Sequence, residues 1–180
     1  MDLGDKLKWS NALEDYIKNI SEKCMSYGIL HKMSQQKYNK YCLMIDIPVI
    51  ICSTISGSLN IGSEQIFAGV NNANLMVGAV SILVAIMSTI SSYFAFNSRM
   101  EMHKNSYLNF MKLNRFINIE LSVQRSERII VKDLIKIIRN EYERLMENSP
   151  LIDGDIIKLF KKKYKKYYDD KIIAFPIECN

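Results

Sequence analysis

The order of apolar and polar positions separates this chain into two long apolar stretches and two flanking arms in which apolar residues recur among charged ones. The apolar stretches run from Tyr41 to Ile61, YCLMIDIPVIICSTISGSLNI, and from Leu75 to Phe96, LMVGAVSILVAIMSTISSYFAF. Each is about twenty residues, roughly 30 Å as a helix, which matches the hydrocarbon thickness of a bilayer. The second has apolar residues on every side of a helical wheel and no ionisable group. The first carries Asp46, Pro48 and the run Ser53, Thr54, Ser56, Gly57, Ser58. Pro48 is expected within the first turns of a helical span, where its missing N–H has no partner to lose. Asp46 then falls at the membrane boundary, either as a functional ionisable group or as a solvated charge that ends the span. Ser53, Thr54, Gly57, Gly78, Ala79 and Ala85 are the candidates for close helix packing, their hydroxyls bonding across to a neighbour or back to their own helix.

In the arms the spacing is helical. Leu13, Ile17, Ile20, Cys24, Tyr27, His31 and Tyr38 recur at intervals of three, four or seven, one stripe of a helix expected to run from Trp9 almost into the first span, with Gly28 as a weak bend. Between Glu101 and Leu121, the residues Tyr107, Phe110, Met111, Asn114, Ile117 and Leu121 share one face, and this helix is expected to continue the second span. Two helices that leave a membrane side by side can bury such stripes against each other. Trp9, Leu13, Ile17, Tyr27, His31, Tyr107, Phe110 and Asn114 are the expected packing residues of that stalk. QRSER at 124–128 breaks the pattern. Val131, Leu134, Ile135, Ile138, Tyr142 and Leu145 mark a further helix, which Asn148, Ser149 and Pro150 end. Asp153 suits the N-cap of a last helix through Ile156, Ile157, Phe160 and Tyr164.

The fold class that follows is all-α: a two-transmembrane helical hairpin with amphipathic cytoplasmic helices packed as a stalk or bundle. Its expected divisions are an N-terminal arm over 1–40, a hairpin over 41–98 with spans at 41–61 and 75–96 and a loop at 62–74, a C-terminal helical arm over 99–170 and an extended tail over 171–180.

Charge sets the topology. Glu64 is the only formal charge between Asp46 and Arg99; the arm before it carries seven Lys against six acids, and the arm from Arg99 onward seventeen basic residues against twelve acids. The net charge of +5 therefore arises in the C-terminal arm. The loop 62–74 has no Lys or Arg, whereas Lys32, Lys37 and Lys40 precede the first span and Arg99 and Lys104 follow the second. By the positive-inside rule the loop faces away from the cytoplasm and both termini face it. A water-soluble bundle with an unusually apolar buried hairpin is the alternative, but 180 residues leave little amphipathic chain to wrap two such helices. The first forty residues lack a signal-peptide core, so membrane targeting is expected in the internal segments. Met1-Asp2 and Cys179 match neither a myristoylation nor a CaaX signal.

The most basic run, Lys158 to Lys171, holds Lys161, Lys162, Lys163, Lys165 and Lys166 among aromatics. A solvated helix face, an anionic lipid surface and nucleic-acid phosphates all accommodate it. Asp169 and Asp170 dilute its charge and no nucleic-acid motif accompanies it. No phosphate-binding glycine loop, nucleophile elbow or HExxH is present. Asp153-Gly154-Asp155 lacks the ligand alternation of a calcium loop and reads as a turn. Cys24, Cys42, Cys52 and Cys179 form neither a CxxC pair nor a metal spacing with His31 and His103, so neither a disulfide scaffold nor a zinc site is expected. His31 lies on an apolar stripe, as a packed histidine or a ligand; His103 is expected at the membrane interface. The sequence therefore predicts a non-enzyme without cofactor or metal.

Trp9 and Glu14, Tyr27 with His31, IPVIICSTISG from Ile47 to Gly57, and YERLMENSPLIDGDIIKLF from Tyr142 to Phe160 together resemble the SLATT group. These are two-transmembrane helical proteins known as effector domains beside nucleotide-sensing bacterial conflict systems, and the resemblance is strongest to relatives encoded by giant DNA viruses. It covers most of the chain and departs from it at the C-terminal KKKYKKYYDDKIIAFPIECN. The resemblance implies a non-enzymatic membrane protein, with bacterial relatives proposed to oligomerise and permeabilise membranes. High Lys, Ile, Asn and Tyr usage is compatible with an AT-rich viral genome. The expected function is thus a self-associating, homo-oligomeric scaffold or pore-like effector in the internal virion membrane or a host membrane. The alternatives are a membrane-anchored structural adaptor that binds a capsid or other protein through its basic C-terminal arm, and a soluble helical interaction module.

Overall fold

The computed structural model describes residues 8–66 and 73–169, and all regular secondary structure among them is helical. The helices are α1 (Asn11–Ile66), α2 (Ala73–Phe94), α3 (Phe96–Ser122), α4 (Val131–Asn148) and α5 (Gly154–Asp169). The side chain of Lys166 and the tail expected over 171–180 lie outside what is described. Ser10 caps α1: its hydroxyl accepts the Leu13 N–H at 3.3 Å and its carbonyl accepts that of Glu14 at 3.0 Å, which satisfies donors that a helix start leaves open. At the other end of the bundle's first turn-back, Arg128 donates to the carbonyls of Val123 and Leu121, both at 2.7 Å, and so closes the C-terminus of α3. The Asp153 carbonyl accepts the N–H groups of Ile156 and Ile157 as α5 begins.

The chain forms two compact units, 1–35 with 101–180, and 36–100. In the first, α1 up to Gln35 packs with α3, α4 and α5. Ile17, Cys24 and Tyr27 of α1 bury against Phe110, Leu113 and Ile117 of α3 and Leu134, Ile138 and Leu145 of α4, with Trp9 and Leu13 partly buried against them. A smaller cluster joins Leu30 of α1 to Ile156 and Phe160 of α5. Each helix contributes one apolar stripe at three- and four-residue spacing, the arrangement that lets four amphipathic helices share a core. At Gly28, inside the continuous α1, a Cβ would lie 2.9 Å from Met111 Sδ of α3, a close approach that a larger side chain would push apart.

The second unit holds the rest of α1, α2 and the start of α3, and it departs from expectation in three places. Because α1 begins at Asn11, Pro48 stands in the helix interior rather than its first turns; the carbonyl of Met44 loses its usual donor there. Helix α1 continues to Ile66, past the expected start of the loop at 62, since a lone Gly62 is too weak a breaker to stop it. The second apolar helix does not run on into the arm: Ala95 has φ of 50° and separates α2 from α3. Its N–H bonds the Ser92 carbonyl at 3.2 Å and its carbonyl accepts the Arg99 N–H at 3.0 Å.

Candidate membrane interface

The apolar surface of the second unit points outward. Along α1 and α2, Ile50 is 63% exposed, Leu75 72%, Ile82 63% and Leu83 60%. Two helices are long and apolar enough to cross a membrane, and the apolar windows that qualify them are only 11% and 6% buried inside the protein. A core helix of a soluble protein passes the same length and composition test but is mostly buried. The residues turned inward are few, among them Tyr38, Cys42, Ser56 and Val77.

The small residues read from the sequence lie on the outer surface. Ser53, Thr54, Gly57, Gly78, Ala79 and Ala85 are exposed, and a Cβ added at Gly57 or Gly78 meets nothing within 4 Å. They therefore provide no close approach within the chain. Ser56 and Val77, one position away from Gly57 and Gly78, are the buried ones, and one position is about 100° around a helix. Hydroxyls bond back to their own helices: Thr54 to the Ile50 carbonyl at 2.8 Å, Ser58 to Thr54 at 2.9 Å, Ser81 to Val77 at 2.9 Å and Thr89 to Ala85 at 2.8 Å. Such bonding removes the need for water or a neighbour. The Ser56 hydroxyl is buried with no partner. Asp46 is half-buried.

At the charged end of this unit the aromatics form a cluster that the sequence reading did not single out. Tyr38 and Tyr41 meet edge to face at 6.2 Å, Tyr41 and Phe96 at 5.5 Å, and Phe94 stacks on Phe96 at 5.4 Å. Arg99 lies over the Tyr38 ring at 5.9 Å and its Nη1 is 3.5 Å from the Tyr38 hydroxyl. Amphipathic rings with basic residues beside them are the composition of a membrane–water boundary. The signal was present in the sequence as aromatics at the charged ends of both apolar stretches.

The first unit holds a polar seam between α1 and α3. His31 Nδ1 lies 2.9 Å from His103 Nδ1, and the two residues are 1% and 2% exposed. His103, expected at the membrane interface, is thus interior to the bundle: its helical position faces His31 of α1. The His31 ring stacks on Phe110 at 5.6 Å, and Tyr27 stacks on the same Phe110 at 5.3 Å. Burial, with the neighbouring His103 adding to it, pushes His31 down to about 3, so it is neutral at physiological pH. One Nδ1 then donates and the other accepts. Further along, Asn114 Nδ2 donates to the Ser21 carbonyl at 2.8 Å and hydroxyl at 2.9 Å. These bonds fix how α1 registers on α3, because sliding either helix would leave buried polar groups unpaired. Tyr107 lies at the edge, under the Lys32 ammonium at 5.5 Å. Burial also raises the Cys24 thiol to about 12, which makes it unreactive. No group of three or more metal-ligating side chains occurs among the described residues.

Trp9 and Glu14 meet on one guanidinium. Arg128 packs over the Trp9 ring at 4.8 Å and pairs with Glu14, which Arg125 also binds at 2.8 Å. Hydrogen bonds from Arg125 and then Arg128 hold the Glu14 carboxyl at about 2. Lys161, Lys162, Lys163 and Lys165 are exposed along α5. A groove of about 480 Å³ between α1 and α4 is lined by Tyr16, Ile20, Lys23, Arg139, Tyr142 and Glu143. No family model, curated protein or solved structure matches the chain.

Proposed function

We propose that the protein is a non-enzymatic integral membrane protein, a self-associating scaffold or pore-like effector of the SLATT type, whose hairpin crosses the bilayer twice and whose helical bundle stays on the cytoplasmic side. The observation that carries this reading is the outward apolar surface of α1 and α2, almost unburied over two lengths that each match a bilayer. Large apolar side chains exposed along both helices are of the kind that mark a membrane or partner surface. The hydroxyls of Thr54, Ser58, Ser81 and Thr89, bonded back to their own helices, support the same reading, since hydrocarbon offers them no water. The aromatic and Arg99 cluster supports an interface at the charged end of the hairpin, and the positive-inside rule supports a cytoplasmic side for that end.

Self-association is supported by the small residues on the outer surface. A Cβ at Gly57 or Gly78 would meet nothing within 4 Å, and Ala79 and Ala85 are exposed beside them, flat faces of the kind on which spans of separate copies pack. The resemblance to membrane effectors related to viral proteins adds the internal virion membrane or a host membrane as the setting. The deciding experiment is alkaline carbonate extraction followed by measurement of the mass in detergent. Retention in the membrane with a defined oligomeric mass is expected. Release into detergent-free buffer as a monodisperse species would replace this reading with a soluble interaction module, and a detergent-requiring monomer would replace it with a membrane-anchored adaptor.

A further inference from the structure

We propose that the groove between α1 and α4 is a docking site for an acidic amphipathic helix of another protein. The groove lies wholly within the first unit and has a volume of about 480 Å³, within the range of preformed binding clefts. Its floor is isoleucine: Ile17 and Ile138 are buried, and Ile20 and Ile135 are half-buried. Tyr16, 61% exposed, stands on the α1 side and Tyr142 on the α4 side. The lining runs from Tyr16 to Lys23 on α1 and from Ile135 to Glu143 on α4, about 11 and 12 Å of helix, or two turns. Over that length a third helix can set apolar anchors, three and four residues apart, between two others.

Charge selects the occupant. At about 100° per residue, Lys132, Lys136, Arg139 and Glu143 fall within roughly a 60° arc of α4 on the side of the groove, and all four are exposed. Lys23 stands on the α1 bank beside the uncharged Asn19. Basic groups therefore outnumber the single carboxylate of the banks, Glu143, which Arg139 already engages at 2.8 Å. A helix with glutamates or aspartates flanking an apolar stripe matches floor and banks together. A second copy of the chain matches less well. The far side of its α4 carries Asp133, Glu141 and Glu147, but Ile137 is the one exposed large apolar residue of that helix, a single anchor for a groove of two turns. The outer faces of α3 and α5 are mostly basic, with Lys104, Lys112 and Arg115 on one and Lys158, Lys162 and Lys165 on the other. A nucleic-acid backbone would satisfy the lysines and leave the isoleucine floor in water.

Two fluorescent synthetic helices of about eighteen residues test this. They share one leucine stripe, flanked by glutamate in the first and by lysine in the second. The full chain is presented in phosphatidylcholine nanodiscs with empty discs subtracted, and in detergent-free buffer if it proves soluble. The glutamate peptide is expected to bind saturably and the lysine peptide roughly tenfold more weakly or worse. Lys132→Glu combined with Lys136→Glu is expected to remove that preference while leaving the melting temperature close to the parent's, because both lysines are exposed. A benzophenone in the leucine stripe is expected to crosslink to 16–23 and 135–143. Equal affinity for the two peptides, a preference unmoved by the two reversals, crosslinks outside those segments, or no saturation up to about 1 mM would overturn the proposal. So would peptide binding that disappears as protein concentration rises, which would give the groove to a second copy. The groove belongs to the first unit alone, so each of these outcomes stands apart from whether the hairpin lies in a bilayer, which carbonate extraction reports.

Discussion

The paired imidazoles give the bundle a pH dependence whose sign follows from burial. His31 sits at about 3 in the fold against 6.5 when free, so between those values the unfolded chain binds a proton that the folded chain refuses. Stability is therefore whole above about 6.5 and falls as pH drops through that window, by up to about 1.4 kcal/mol per pH unit. Glu14 acts lower down. Its pKa is depressed from 4.5 to about 2, so the stability its pairing contributes is present above 4.5 and is lost as pH falls from there toward 2. The interval from pH 7 to 5 isolates the histidine. We expect the melting temperature of the detergent-solubilised protein to fall across that interval, and His31→Gln to flatten the fall while lowering stability at pH 7. A slope that His31→Gln leaves unchanged would assign the effect elsewhere. His103, by contrast, gave no sign of this role in the sequence. Its burial depends on a partner from another helix, and only its position just past an apolar stretch was visible.

Within single helices the sequence was legible wherever local pattern decides. The stripe from Leu13 through His31 is the face α1 buries, QRSER interrupts α3 and α4, and Asp153 starts α5. Where a distant residue or an unusual backbone decides, it was not. Gly28 reads as a bend from its neighbours alone, yet Met111 on α3 makes it a point of close approach. Pro48 reads as an early-turn residue only if the span starts a new helix, and α1 does not. The break at Ala95 carries no Gly, Asn or Pro to announce it, and a left-handed alanine is disfavoured by roughly 1–2 kcal/mol. Ala95→Gly is accordingly expected to raise stability by up to about 1 kcal/mol in thermal unfolding, whereas Ala95→Val, β-branched at a positive φ, lowers it. If Gly destabilises at this site instead, the break between α2 and α3 is not a feature of the folded protein.

At the scale of the whole molecule, one chain uses two opposite rules for its apolar residues. The bundle unit turns them inward around Phe110 and Leu134, and the hairpin unit turns them outward along Ile50, Leu75 and Ile82. The segregation of charge made that division readable from sequence, because formal charge nearly vanishes between Asp46 and Arg99. Which side of each span faces its own partner was not readable, since a helix apolar all round gives no preferred face. The outcome at Gly57 and Gly78 makes self-association testable without confusion with folding. Both have open space where a side chain would go, so Gly57→Leu and Gly78→Leu are expected to leave the unfolding free energy of the single chain, measured in a dissociating detergent, within about 0.5 kcal/mol of the parent, as surface substitutions do. In reconstituted, dye-loaded liposomes the same leucines are expected to lower both the oligomeric mass and any leakage, because flat glycine surfaces are what let separate helices approach. Leakage and mass both unchanged by the two leucines would mean that copies do not meet on this surface. The exposed glycines would then face lipid, and the hairpin would serve as an anchor for the bundle.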